Sequence, residues 1–177
     1  MALNWIKLSR KLHYWGAFIV LLPALIIFIT GILLHLKKDI NWIQPPLKES
    51  EIENFPIITF DKILSASVGV EEANIKSWAD ISKLDVRPEK GIVKVKAKNH
   101  WEVQIDTHTG SVVQVAYRRS DIIEKIHDGS WFHVNIKYWL FFPASVILLI
   151  LWVTGIYMIF FPYVLKSRKK TLKNKFH

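Results

Sequence analysis

Seven histidines offer the most chemistry in this 177-residue chain: His13, His35, His100, His108, His127, His133 and His177. His13, His35, His127 and His133 sit in or beside long apolar runs, where ionisable side chains are costly and usually functional. A neutral imidazole can hold a metal through one ring nitrogen. The chain has no cysteine, which excludes disulfides, thiolate metal sites, iron–sulfur clusters and covalently attached c-type haem. Haem b needs only imidazoles, so it stays open. Zinc competes for the same nitrogens, but histidines beside apolar helices suit an apolar macrocycle better. The bland alternative is an interfacial histidine that simply reaches the headgroups.

His13 and His35 are 22 residues apart. On one helix that is about 33 Å, with an angular offset of about 40°, so they share a face. Ala17, Ala24 and Gly31 repeat every seven residues on the same stripe. Small residues there have two readings. They let another helix approach closely, or they let a flat cofactor lie against the helix, with Gly31 leaving room for its edge one turn before His35. His127 and His133 precede the second apolar run, and His35 ends the first. The three are expected at one membrane depth and His13 at the other. His100 and His108 flank a strand and read as surface or turn residues, and His177 is the terminal residue.

The elements that must position these histidines are two membrane spans. Residues 12–36 and 138–165 contain no Asp, Glu, Lys or Arg. About 20 apolar residues cross a bilayer core, so each run is long enough. Trp5, Tyr14, Trp15 and Trp42 frame the first, and Trp131, Tyr138, Trp139 and Tyr163 frame the second, as interfacial aromatics do. The first run exceeds a signal peptide's apolar core and lacks an Ala-x-Ala site, so it reads as a retained anchor.

Charge sets the orientation. The net charge is +9. Residues 1–11 carry Lys7, Arg10 and Lys11 and no acid. Residues 163–177 carry Lys166, Arg168, Lys169, Lys170, Lys173 and Lys175 and no acid. The rest of the chain sums to zero. A nucleic-acid-binding domain spreads basic residues over a folded face, so nucleic acid is set aside. The positive-inside rule places both termini in the cytoplasm of an inner, cytoplasmic membrane and residues 37–137 outside it.

The expected organisation is a cytoplasmic N-terminus (1–11), a first span (12–36), an external domain with linker (37–118), an amphipathic interfacial segment (119–137), a second span (138–162) and a basic tail (163–177). Residues 41–56, with three prolines, read as a linker. Residues 61–68 read as a helix capped by Asp61. Residues 81–86, 91–98, 101–105 and 111–117 read as strands, the second and third alternating as half-buried strands do. Asp106-Thr-His-Thr-Gly110 reads as a turn. The fold class is membrane α-helical plus a small α+β layer, an antiparallel sheet with one helix.

Trp101-x-Val-x-Ile105-Asp106-x-x-Thr109-Gly110-x-Val112-Val113 resembles the PepSY domain, whose strand pair is joined by an Asp-x-x-Thr-Gly turn. Arg10-Lys-Leu-His13-Tyr-Trp15-Gly16 resembles the Arg, His, Trp and Gly opening of the PepSY-associated transmembrane family. Thr30-Gly31-Ile-Leu-Leu, Ile126-His127-Asp-Gly129 and Thr154-Gly155-Ile-Tyr are similar to further features of that family, in the same order. The resemblance implies a membrane protein related to those that bind two b-type haems and reduce ferric siderophores. It makes His13, His35 and His127 candidate axial ligands of haem iron. His133 is an additional cofactor-binding candidate without a family counterpart, and Gly31 lies beside the cofactor.

Longer members of the family have about four spans, and two helices cannot enclose a haem. The resemblance therefore implies a homodimer or a partner membrane subunit, with the small-residue stripe as its seam. No Gly-x-Gly-x-x-Gly follows a strand, so no flavin or nicotinamide site is expected. The electron donor and acceptor lie elsewhere. The leading expectation is an electron carrier across the membrane, of ferric-reductase type, with haem b as cofactor. The alternatives are a PepSY regulatory or inhibitory module and an accessory subunit of a larger membrane complex.

Overall fold

The computed structural model describes residues 5–50 and 58–175, with side chains over 7–50 and 58–161. His177, residues 51–57 with the later part of the expected linker, and the side chains of the C-terminal basic residues lie outside what is described. The elements run in order α1 (Trp5–His35), α2 (Phe60–Val68), β1 (Ile81–Arg87), β2 (Ile92–Ala97), β3 (Trp101–Asp106), β4 (Val112–Tyr117), α3 (Arg119–His127), α4 (Val134–Ile136), a π-helical turn (Lys137–Phe141) and α5 (Phe142–Lys175). They divide into two compact units, residues 1–31 with 125–177 and residues 32–124.

The first unit is built on α1 and α5. Two helical stretches, Lys7–His35 and Val134–Phe161, are long and apolar enough to cross a membrane. Pro23 sits inside α1. It removes one backbone hydrogen bond, which a spanning helix tolerates where neighbouring groups repair the loss. Val20 and Ala24 of α1 form a buried cluster with Ala144 of α5, flanked by Ile147, Leu148 and Leu151. Ala24 of the small-residue stripe therefore packs on the second span of its own chain. The seam expected between two copies is, at this position, a seam within one.

Between α3 and α5 the chain reverses at Gly129, whose φ of +80° lies in the left-handed region. The Gly129 N–H reaches the Ile126 carbonyl (3.2 Å) and the Trp131 N–H the Lys125 carbonyl (3.0 Å). These bonds satisfy acceptors that a helix end leaves open, and glycine at this position carries no Cβ penalty. A Cβ on Gly129 would also lie 2.4 Å from Phe141 Cδ2. The His-x-Gly motif thus ends α3 directly after His127. Residues 119–137, expected as an amphipathic interfacial segment, run as α3, this reversal, α4 and the first residue of the π-helical turn.

The second unit is a four-stranded antiparallel meander in the order β1-β2-β3-β4. Val93, Val95 and Ala97 of β2 and Val103 and Ile105 of β3 point to one face, with Val95 opposite Val103. Ile63 of α2 and Val70, Ala73 and Ile75 close over them as the core. The Thr59 hydroxyl caps α2 by accepting from the Lys62 N–H at 3.3 Å, in place of the expected Asp61. The Asp106–Gly110 turn forms as expected. The Asp106 carboxylate accepts from the N–H groups of His108 (2.8 Å) and Thr109 (2.9 Å), and Gly110 takes φ +71°.

The opposite face carries Lys94, Lys96, Glu102 and Gln104, and a half-buried sheet would leave it wet. It is covered instead. The segment at 42–50, expected as a linker, lies across it: the Lys48 N–H donates to Gln104 Oε1 (2.9 Å) and Gln104 Nε2 donates to the Pro46 carbonyl (3.0 Å). The Ser120 N–H donates to the Ile43 carbonyl at 2.8 Å. Glu102 is 1% exposed and Lys94 6%. Buried charge is tolerated only when paired, and Glu102 receives Arg118 Nη1 at 2.5 Å and Lys94 Nζ at 3.4 Å. Asp121 pairs with Lys96 (2.9 Å) and Arg118 (3.3 Å).

Candidate functional site

His13 and His127 each meet a threonine of the opposite span. His13 Nδ1 lies 3.1 Å from Thr154 Oγ1. His127 Nδ1 lies 2.9 Å from Thr30 Oγ1. The next residue in each case is a glycine. A Cβ on Gly155 would lie 3.7 Å from His13 Cε1, and one on Gly31 would lie 3.5 Å from His127 Cε1. The space beside Gly31 is taken by the His127 ring. The Thr-Gly pair near the end of each span is therefore the seat of an imidazole from elsewhere in the same unit.

Each threonine hydroxyl also reaches a carbonyl of its own helix. Thr30 Oγ1 donates to the Ile26 carbonyl at 2.5 Å. Thr154 Oγ1 donates to the Leu151 carbonyl at 3.0 Å. A hydroxyl has one proton, so each threonine oxygen is left to accept from the imidazole. With each hydroxyl proton on its own helix carbonyl, the imidazole donates through Nδ1–H and Nε2 keeps its lone pair. Metal-ligating histidines commonly carry such an outer hydrogen bond, which fixes tautomer and ring orientation.

Each imidazole opens on a groove. His13 lines one of about 400 Å³ with Arg10, Tyr14, Phe18 and Met158. His127 lines one of about 220 Å³ with Asp128, Lys137, Phe141 and Ser145. The π-helical turn carries Lys137 and Phe141 into the second of these, and such turns are frequent at functional sites. Lys137 Nζ donates to Asp128 Oδ2 at 2.5 Å. Burial pushes the Asp128 carboxyl up, but the Lys137 ammonium and Ser130 outweigh it and hold the group below its usual range.

The other candidates are placed differently. His133 is exposed, and its Nδ1 accepts from the Asn135 N–H at 3.1 Å as the cap of α4. That bond uses the Nδ1 lone pair and leaves the proton on Nε2. His35 is the last residue of α1 and is exposed. His100 takes φ +71° between β2 and β3 and meets Tyr117 edge-on, and His108 stands in the Asp106–Gly110 turn. Among the described residues no group of three or more His, Cys, Asp or Glu could hold a metal ion. Axial binding of haem iron needs one or two imidazoles and no such cluster.

The two threonines escaped the sequence reading as partners, since hydrogen bonds across 97 and 141 residues leave no local pattern. The signal was the same dipeptide, Thr-Gly, in both apolar runs.

Two spanning helices joined through an antiparallel sheet with a packed helix define a two-pass membrane protein with a small α+β domain between the spans. The chain belongs to the family described as the PepSY-associated TM region, whose family profile matches residues 10–177. No curated protein and no solved structure matches it.

Proposed function

We propose that the chain binds b-type haem through Nε2 of His13 and Nε2 of His127 and carries electrons across its membrane. The observation behind this reading is the threonine–imidazole contact, made twice, at two histidines that both line grooves. His13 and Thr30 are 17 residues apart on α1, about 25 Å along the helix. The two imidazoles therefore stand near opposite ends of the helix pair, as an electron path across a bilayer requires.

The residues fit the group. A neutral imidazole with a free Nε2 lone pair is an axial ligand for iron, and each ring packs beside a glycine, Gly155 or Gly31. Bound haem b supplies reversible one-electron chemistry at its iron. Thr30 and Thr154 orient the imidazoles. His35 remains a further axial candidate from the sequence. His133, as a helix cap with its proton on Nε2, is not assigned a ligand role.

A second copy of the chain, or a partner membrane subunit, supplies the walls that two helices lack. Tyr14, Phe18 and Leu21, each about two-thirds exposed beside the His13 groove, are the surface it covers. The basic ends favour cytoplasmic termini, which puts His13 on the electron-entry side. The sheet unit then faces the outside, where a ferric chelate is a fitting acceptor.

The test is an absorption spectrum of the chain purified in mild detergent from haem-replete cells. The expected result is a Soret band with α and β bands that sharpen on dithionite reduction. A colourless protein of native stability would overturn the proposal and leave a regulatory module or an accessory subunit as the reading. Crosslinking in membranes is expected to give a band of twice the monomer mass.

A further inference from the structure

One further pocket lies wholly within the sheet unit. It measures about 320 Å³, near the lower limit for small-ligand sites. Lys38, Arg87 and Lys94 line it together with Gln44 and the Pro45–Pro46 strap. Among the described residues no carboxylate lines it.

The charges there are incompletely matched. Arg87 gives only Nη2 to Asp85, at 2.9 Å. Lys38 makes no ion pair among the described residues. The Lys94 side chain is 8% exposed, and the carboxylate it faces, Glu102, is shared with the closer Arg118. An anion in the pocket would give this buried ammonium a second partner. Three cations from three separate segments suit a tetrahedral anion with several terminal oxygens. Arginine contributes a fork and lysine a point charge to such a group.

We propose that this pocket binds a phosphate-bearing anion, held by Lys38, Arg87 and Lys94. Lys38 follows the last residue of α1 by only three positions. A chain of that length reaches about 10 Å, which keeps Lys38 close to the end of an apolar span and within the headgroup zone. A phospholipid headgroup and a soluble phosphate ester share this chemistry, and the test separates them.

The full chain in neutral detergent is titrated calorimetrically with sn-glycerol 3-phosphate at constant ionic strength. It is also reconstituted in phosphatidylcholine bilayers containing a fifth phosphatidylglycerol, then released and weighed by native mass spectrometry. The comparison variant is Lys38→Gln/Arg87→Gln, both on the accessible rim. Lys94 is left intact because its removal strips Glu102 of a partner. Saturable glycerol phosphate binding assigns the site to a soluble ester. Retained phosphatidylglycerol without it assigns the site to a lipid headgroup. Either result supports the proposal when the double variant loses about tenfold or more in binding or retention at an unchanged thermal midpoint. Absence of both ligands from the native chain overturns it, as does equal binding by the variant.

Discussion

Thr30 Oγ1 stands 2.9 Å from His127 Nδ1 while passing its own proton to the Ile26 carbonyl. One hydroxyl thus connects a spanning helix to an imidazole 97 residues later in the chain. Thr154 does the same for His13 in the reverse chain direction. Each contact holds a tautomer that an isolated imidazole would not hold alone.

Replacing Thr30 by Val removes the acceptor and keeps the shape. Haem retention is expected to fall about 10- to 100-fold, the usual loss when an outer partner of a ligating histidine is removed. Thr30→Ser is expected to restore it. In the haem-free protein, ¹⁵N NMR of the imidazoles provides an independent readout. The native chain should show His127 as the Nδ1–H form and Thr30→Val a tautomer mixture. An unchanged tautomer would remove the positioning role from Thr30.

His13→Ala and His127→Ala are each expected to lower the haem-to-protein ratio by about half or more, with one end of the helix pair losing its imidazole. His100→Asn is the control, because asparagine tolerates the left-handed backbone that His100 adopts. Equal loss from all three, measured by pyridine haemochrome, would contradict the ligand assignment.

Glycines 129 and 31 should respond oppositely to Ala. At Gly129 the positive φ costs roughly 1–2 kcal/mol for any side chain, and a Cβ 2.4 Å from the Phe141 ring adds to it. At Gly31 the Cβ would meet His127 Cε1 at an ordinary 3.5 Å, and alanine gains up to about 1 kcal/mol of helix propensity. Thermal unfolding in detergent should place Gly129→Ala several degrees below the native chain and Gly31→Ala at or above it. A Gly129→Ala midpoint equal to the native one would show that the reversal relaxes freely.

Glu102→Ala leaves Arg118 and Lys94 without their shared carboxylate. Breaking a buried pair from one side costs about 3–5 kcal/mol, so the sheet unit should unfold at markedly lower denaturant. Retention of the native midpoint, read by Trp101 fluorescence, would mean that water reaches this face.

Acid should weaken the same unit. Burial raises the Asp121 carboxyl, but Lys96 and Arg118 outweigh it and hold the group below its usual range. A carboxylate depressed in the folded state stabilises above its unfolded value, about 3.9, and loses that contribution as pH falls through the folded value. Asp80 and Asp106, also lowered, act in the same direction. Stability should therefore be flat on these groups from pH 7 to about 5 and fall below about 4. Asp121→Asn should shrink the fall. A fall of native size in that variant would assign the loss to other groups.

Much of the architecture was legible before folding was considered. The two uncharged runs define spans because no charge survives long in a bilayer core. The alternation in β2 and β3 and the Asp106–Gly110 turn define the hairpin through local stereochemistry. His13 and His127 stood among four histidines, with His35 and His133, that their setting beside the apolar runs singled out. The burial of Lys94 and Glu102 was hidden, because alternation reports only which face a side chain takes. Whether that face is wet depends on the 42–50 strap, which reads as a linker. The stop that Gly129 makes within 119–137 was likewise not read from the sequence.

By itself, then, the sequence determined everything set by composition and short-range stereochemistry: two membrane-crossing helices, a four-stranded meander and the histidines worth attention. Only the tertiary structure decided which threonine each imidazole meets, and where Ala24 and Gly31 pack. It also decided that three cations share one pocket. The physical reason is the same each time. A hydrogen bond or a charge excess across tens of residues depends on three-dimensional approach, and linear spacing records no trace of it.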